Sequence, residues 1–154
     1  MDLEDLLSPA GVTARLKVTS KKQILQELSA KAAVVTGLSE RAIFETLLER
    51  ERLGSTGVGQ GIAIPHGKLA ELDRLHGLFA RLETPVDFDS VDDQPVDLVF
   101  LLLAPESAGA DHLKALARVS RLMRNQSMVE KLRATDDASA LYALLTEPAA
   151  SNAA

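Results

Sequence analysis

The sequence predicts an α/β domain in which helices cover both faces of a mixed sheet. The predicted elements follow the order β-α-α-β-β-β-α-α-α. Residues 96–103 (VDLVFLLL) are almost continuously apolar, which is typical of a central strand covered on both faces. The chain has 154 residues, the length of one domain, and can bury about 70% of the surface of its unfolded form.

The first third of the chain contains one strand and two helices. Residues 12–18 carry apolar side chains at Val12, Leu16 and Val18, which suggests a short strand. A capping box at residues 20–23 (SKKQ) begins the first helix, and Gly37 is a plausible end for it. The second helix then runs from a Ser39 cap to Gly54.

The middle of the chain is predicted to hold three strands. They lie at residues 62–64, 78–82 and 96–103, and the first of them ends at Pro65-His66. The segment that precedes them, residues 54–61 (GSTGVGQG), holds four of the nine glycines. We refer to residues 54–61 as the glycine loop.

Three helical segments follow the last strand. Asp111 is placed to cap the first of them. The predicted buried side of this helix consists of Leu113, Leu116, Ala117 and Met123. A capping box at residues 127–130 begins the second, and the third spans about residues 136–146. Residues 1–147 are therefore expected to form a single domain, with residues 148–154 as a flexible C-terminal tail.

Composition excludes several classes of function. The chain has 22 acidic and 17 basic residues and a net charge of −5, so it lacks the basic footprint of a nucleic-acid-binding protein. The absence of cysteine excludes disulfides, thiolate catalysis and cysteine-ligated metals. The longest strongly apolar run, residues 98–104, is far shorter than the ~20 residues that span a membrane. The N-terminus is acidic and unlike a secretory signal, so we expect a cytoplasmic protein without membrane insertion.

The glycine loop does not match the known nucleotide-binding motifs. Gln60 stands where a P-loop requires lysine, and the dinucleotide fingerprint G-x-G-x-x-G is absent. Glycine still allows backbone N–H groups to converge on an anion. From glycine content alone, a tight irregular connection is the favoured interpretation.

His66 is the first candidate for chemistry. It follows a short apolar strand, and ligands commonly lie at strand ends in open α/β sheets. A histidine there can act as a base, a ligand or a nucleophile, although a structural hydrogen bond in a turn is the commoner role. None of the three histidines has the spacing of a metal site, so no metal is expected, and His76 is expected at the surface.

His112 and Arg50 are the second and third candidates. His112 lies in the first turn of a helix, where the dipole favours a neutral imidazole and a nearby anion. An exposed histidine without a role fits that position equally well. Arg50, in the last turn of the second helix, has the chemistry to pair with phosphate, but arginines there more often complement the helix dipole.

Residues 54–68 (GSTGVGQGIAIPHGK) resemble a known family, the IIA domains of the mannitol/fructose class of the bacterial phosphotransferase system. The resemblance continues through residues 82–85 (LETP), Phe88-Asp89, residues 92–105 (DDQPVDLVFLLLAP) and His112-Leu113. Within the family, the chain looks most like the nitrogen-regulatory branch. The resemblance covers nearly the whole chain apart from the two ends.

The resemblance implies a three-layer α/β/α sandwich and a phosphoryl group carried on Nε2 of His66. The donor would be an HPr-type phosphocarrier, called NPr in the nitrogen branch, which an enzyme I homologue charges from phosphoenolpyruvate. His112 and Arg50 match the other active-site residues of the family. No cofactor or metal is implied. The residues expected to form a phosphate-binding loop are Gly54, Ser55, Thr56, Gly57, Gly59, Gly61 and Gly67.

The resemblance leaves two functions to distinguish. The protein either regulates nitrogen- or potassium-related partners through its phosphorylation state or relays phosphate to a sugar-specific IIB domain. We favour regulation because the sequence ends soon after the IIA region. A metal or small-anion site made by His66, His112 and Asp111 is disfavoured by their spacing. The partners that would be regulated are not identified by the sequence.

Overall fold

The computed structural model describes residues 2–147, so the predicted tail at residues 148–154 lies outside the described residues. A short 3₁₀ turn, Leu3–Asp5, precedes the first strand. The strands and helices are β1 Leu7–Leu16, α1 Lys21–Thr36, α2 Glu40–Arg52, β2 Gly57–Gly59, β3 Ile62–Ala63, β4 His66–Leu69, β5 His76–Val86, β6 Val96–Pro105, α3 Ala110–Arg124, α4 Gln126–Arg133 and α5 Ala138–Leu145.

The strands form one mixed sheet in the order β1-β5-β6-β3-β2, and β4 pairs with β6 as well. β5 runs antiparallel to β6, whereas β3 and β4 both run parallel to it. The register places Ala63 opposite Val99 and His66 opposite Leu102, so β3 and β4 are two parts of one interrupted strand. The predicted element order is confirmed, with β2 and β4 as two additional short strands.

Strand β6 separates two hydrophobic cores, which explains its continuous apolar sequence. Leu98, Phe100 and Leu102 belong to the core under α3, α4 and α5. Val99, Leu101 and Leu103 belong to the core under α1 and α2. All six side chains are fully buried. The fold is therefore the predicted three-layer α/β/α sandwich.

Local signals in the sequence set most helix ends. Ser20 Oγ accepts a hydrogen bond from Gln23 N at 3.1 Å, and Gly37 ends α1 in the left-handed conformation with φ 77°. Ser39 caps α2 as predicted. Helix α4 differs from the prediction because it is capped by Asn125, two residues before Ser127.

The predicted buried face of α3 is right at Met123 and in part at Leu116 but wrong at Leu113 and Ala117, and the predicted cap is wrong. The buried residues of the helix are His112, Ala115, Val119 and Met123. Leu113 is 69% exposed, and Gly109 rather than Asp111 occupies the N-cap position. The buried stripe of α3 therefore begins with His112. The N-terminal end of the helix, where His112 lies, borders a pocket.

The helices are short for a bilayer. Within residues 2–147, no helix combines the length and the apolar character that membrane crossing requires.

Candidate functional site

A cavity of about 820 Å³ opens at the edge of the sheet between α2 and α3. Residues of β4 line it, and among residues 2–147 this strand pairs with β6 alone. The residues that line it are Thr46, Glu49, Arg50, Arg52 and Leu53 from α2 and its end, His66, Gly67 and Lys68 from β4, and Gly109, His112, Leu113 and Leu116 from α3 and its cap. His66, His112 and Arg50, distant in sequence, thus meet in one pocket.

His66 is half-buried and is held through both ring nitrogens. Nδ1 lies 2.9 Å from the carbonyl oxygen of Ile64, which can only accept a hydrogen bond. The proton therefore resides on Nδ1, and Nε2 carries the lone pair. Arg50 Nε donates to this Nε2 at 3.3 Å. Nε2 is thus a nucleophilic atom that faces a permanent positive charge.

Arg50 is held in place by a second contact. Its Nη1 donates to the carbonyl oxygen of Gly54 at 3.0 Å. Because Gly54 follows the C-terminal end of α2, the start of the glycine loop holds a second nitrogen of the guanidinium. The guanidinium is consequently oriented by a backbone carbonyl at Nη1 and by the imidazole at Nε.

His112 packs edge-on against His66, with ring centroids 5.8 Å apart and an interplanar angle of 74°. It is buried, and its Nδ1 has no hydrogen-bond partner within residues 2–147. Burial, the nearby His66 and Lys68 hold the pKa of His112 below its usual value. The lowered pKa favours the neutral imidazole, and the burial of His112 contradicts the exposed histidine that fitted its sequence position equally well.

None of the glycine-loop residues 54–61 lines this cavity. Three of its amides already have side-chain partners: Thr56 N donates to Glu51 at 3.0 Å, Gly57 N to Ser55 Oγ at 3.0 Å and Gln60 N to Asp92 at 2.9 Å. The interpretation of these residues as a phosphate-binding loop stays a prediction, and the geometry favours a supporting role. The tight connection that glycine content favoured agrees with this arrangement.

Gly67 does line the cavity, but as part of β4. A Cβ atom built at this position would lie 2.7 Å from Cγ2 of Thr46, so glycine is what allows α2 to pack closely on β4. The sequence suggested that a strand ends at His66, and the structure differs. His66 begins a strand, and its side chain faces α3 while residue 67 faces α2.

Two features were not found by sequence reasoning. Glu51 is 8% exposed and binds both the backbone and the side chain of Thr56, a contact between residues that no local motif signals. His76, predicted at the surface, is buried at the start of β5, because that strand extends two residues before its apolar run. Burial, followed by the charge of Arg74, lowers the pKa of His76 against the opposing effect of Asp73.

The site suits an anionic group bound near His66. Its lining contains three cationic side chains, Arg50, Arg52 and Lys68, and one carboxylate, Glu49. Across residues 2–147 there is no group of three His, Cys, Asp or Glu side chains that could hold a metal ion. The groups in this lining that can stabilise an anion are the guanidinium of Arg50, the imidazole of His112 and the N-terminal end of α3.

The chain belongs to the family described as phosphoenolpyruvate-dependent sugar phosphotransferase system, EIIA 2, whose model matches residues 5–147. A nitrogen regulatory protein of Bradyrhizobium diazoefficiens is 62% identical over 153 residues, which cover 99% of this chain and 100% of that protein. The crystal structure of the nitrogen regulatory protein IIA-Ntr from Neisseria meningitidis is 38% identical, with a TM-score of 0.89 over 94% of this chain and 99% of that chain. A fructose-specific EIIA component from Haloferax volcanii is 34% identical, over 96% of this chain and 98% of that protein. The resemblance noted from the sequence is confirmed.

Proposed function

We propose that this protein accepts a phosphoryl group on Nε2 of His66. The observation that carries the proposal is the pair of contacts on the ring: Nδ1 lies 2.9 Å from the acceptor Ile64 O, and Nε2 lies 3.3 Å from the donor Arg50 Nε, so Nε2 is the nitrogen with the lone pair. In the step, the Nε2 lone pair forms a bond to phosphorus while the bond between phosphorus and a donor nitrogen breaks. The donor imidazole keeps the bonding electron pair, and no metal or nucleotide takes part.

Arg50 and His112 have different parts in this step. Arg50 releases Nε2 and donates to the phosphoryl oxygens, on which negative charge accumulates. His112, kept neutral by burial, offers a ring N–H without placing a second fixed cation beside His66. We therefore expect the loss of His112 to slow phosphorylation and the loss of His66 to abolish it.

The donor we propose is an HPr-type phosphocarrier, the NPr of the nitrogen branch, charged by an enzyme I homologue. The family is named for phosphoenolpyruvate-dependent transfer. The rim of the cavity also offers a surface for a protein donor, since Leu53 and Leu113 are 85% and 69% exposed on either side of the histidines. Phosphoenolpyruvate and its carriers belong to the cytoplasm, so we propose that this protein is cytoplasmic.

The test is incubation with phosphoenolpyruvate, enzyme I and an HPr-type carrier, followed by intact-mass measurement of acid-labile phosphate. We expect one phosphate on the wild type, none on His66→Ala and slower labelling of His112→Ala. His76→Gln is the matched control, because it removes the third histidine at a place outside the cavity. Equal loss in His66→Ala and His112→Ala would contradict the two roles.

Regulation is the use of this phosphate that we propose first. The Bradyrhizobium relative and the Neisseria structure are both named as nitrogen regulatory proteins. Phosphorylation adds about −1.5 to −2 charges to the cavity without requiring the fold to change, so a partner docked on the rim would distinguish the two states. A His66→Asp variant should bind such a nitrogen- or potassium-related partner differently from the wild type, and equal binding would contradict a switch at this site.

Relay to a sugar-specific IIB domain is the alternative. The similarity to a fructose-specific EIIA component of nearly the same length favours it as the second candidate. Mixing the phosphorylated protein with a fructose- or mannitol-type IIB domain decides between the two. Rapid transfer of the label to IIB would favour the relay, and retention of the label on His66 would favour regulation.

A further inference from the structure

Glu51, at the end of α2, is a buried carboxylate that does not line the cavity. Its side chain is 4% exposed. One carboxylate oxygen accepts from Thr56 N at 3.0 Å, and the other accepts from the Thr56 hydroxyl. Lys21 Nζ lies 3.0 Å from the first of these oxygens. The carboxylate is thus paired on every side that it presents, as a buried charge requires.

The cluster of Lys21, Glu51 and Thr56 is joined by further contacts that hold the first residues of the glycine loop. Lys21 lies over the ring of Phe88, 4.7 Å from its centroid, and Ser55 Oγ donates to Phe88 O at 2.7 Å. Thr56, in turn, accepts at its carbonyl from Ile64 N at 3.0 Å. Residues 55 and 56 are therefore tied to α1, to the segment before β6 and to the interrupted strand.

Gly54, one residue before this cluster, carries the carbonyl that holds Arg50. Its φ of 151° is outside the usual range for other residues, and its N–H donates to the backbone carbonyl of Glu51 at 3.2 Å. The position of the Gly54 carbonyl is then set by its neighbours, Arg50 and Glu51 on the helix and Ser55 and Thr56 on the loop.

We propose that Glu51 is a positioning residue, which acts through Thr56 and the Gly54 carbonyl to hold the Arg50 guanidinium against Nε2 of His66. Lys21 supplies the opposite charge beside Glu51 in its buried place. The consequence for phosphoryl transfer rests on the function proposed above, whereas the effect on the contact between Arg50 and His66 does not. Glu51 touches neither the histidines nor the phosphoryl group.

The direct test is the ¹⁵N signal of His66 Nε2 in the unphosphorylated protein, because that signal reports the hydrogen bond from Arg50. In Glu51→Gln we expect it to move toward its frequency in Arg50→Gln. Glu45→Gln is the matched control, since it breaks an exposed ion pair with Arg41 on the same helix and should leave the signal in place. This readout needs no phosphate donor.

Thr56→Val and Thr56→Ser keep the test decisive if Glu51→Gln does not fold. The valine variant removes the hydroxyl that donates to Glu51 at nearly constant volume, and the serine variant retains it. We expect the His66 signal to move in Thr56→Val and to stay near its wild-type position in Thr56→Ser. A His66 signal unchanged in both Glu51→Gln and Thr56→Val would overturn the proposal.

The kinetic test separates positioning from a general loss of structure. A displacement of about 1 Å can slow a reaction on the order of 100-fold, so we expect the phosphorylation rate constant of Glu51→Gln to fall about 10- to 100-fold at an unchanged KM for the carrier. The double variant Arg50→Gln/Glu51→Gln should be no slower than Arg50→Gln alone. Additive losses would show that Glu51 acts elsewhere. If the wild type takes no phosphate, the proposed function fails, and the NMR result still decides the role of Glu51.

Discussion

Replacing Gly67 with alanine should disturb the site without touching its chemistry. The new Cβ would lie 2.7 Å from Thr46 Cγ2, whereas carbon atoms in contact normally lie about 3.5–4.0 Å apart. We expect helix α2, which carries Thr46, to move away from β4 by about 1 Å to relieve this contact. Overpacking of this kind costs about 1–3 kcal/mol, and the stiffer unfolded chain returns about 0.4–1 kcal/mol. We expect a net loss of about 1–2 kcal/mol in the free energy of unfolding.

Because α2 carries Arg50, the same movement separates the guanidinium from His66. Thermal unfolding should show a fall in Tm of about 2–8 °C for a domain of this size, and phosphorylation by the carrier should slow by up to about 100-fold. Thr46→Ser removes the obstructing methyl group, so Gly67→Ala/Thr46→Ser should recover most of both losses. If the serine restores neither quantity, the close approach of α2 to β4 is not what requires glycine at position 67.

Two further predictions concern the charged groups of the site and the buried histidines. Arg50→Lys should slow phosphorylation by about 10²-fold, because one ammonium group cannot bind the loop carbonyl and the phosphoryl oxygens with the geometry of a planar guanidinium. Arg41→Lys, on the exposed face of the same helix, is the control. An equal phosphorylation rate in both variants would contradict the role of Arg50. His112 and His76 have pKa values below the ordinary value of 6.5, so the unfolded chain binds more protons than the folded one as the pH falls through 6.5. Their contribution to stability is fully present above that pH and is lost as the pH falls through the lower folded pKa values. Urea unfolding between pH 7.5 and 5 should therefore show a decline in the free energy of unfolding, and His76→Phe should make that decline shallower. A slope unchanged by that substitution would assign the decline to other groups.

Signals that act within one turn or one strand were sufficient to predict much of the fold. The apolar run of β6 indicated a strand between two layers because each face needs its own core, and the serine caps and Gly37 set the ends of α1 and α2. His66, His112 and Arg50 were found through a motif rather than through their spacing. Nothing in periodicity could show that these three residues meet.

What the sequence could not predict depends on contacts between distant segments. The orientation of α3 followed from a pocket that leaves Leu113 exposed, whereas hydrophobicity alone would bury it. Glu51 looks like any charged residue at a helix end until α1 supplies Lys21 and the glycine loop supplies Thr56. Glycine content favoured a tight connection over anion binding, but it could not identify Ser55 and Asp92 as the side chains that bind the loop amides.

The interruption between β3 and β4 leaves the carbonyl of Ile64 pointing at the ring of the residue two positions later. Since this acceptor is a main-chain atom, every amino acid at position 64 provides it, and point substitution there cannot relocate the imidazole proton. The location of the nucleophilic lone pair is thus inherited from the path of the backbone. A designer who transplanted residues 62–69 onto another parallel strand pair would carry a correctly protonated histidine along with them, before any supporting side chain was added.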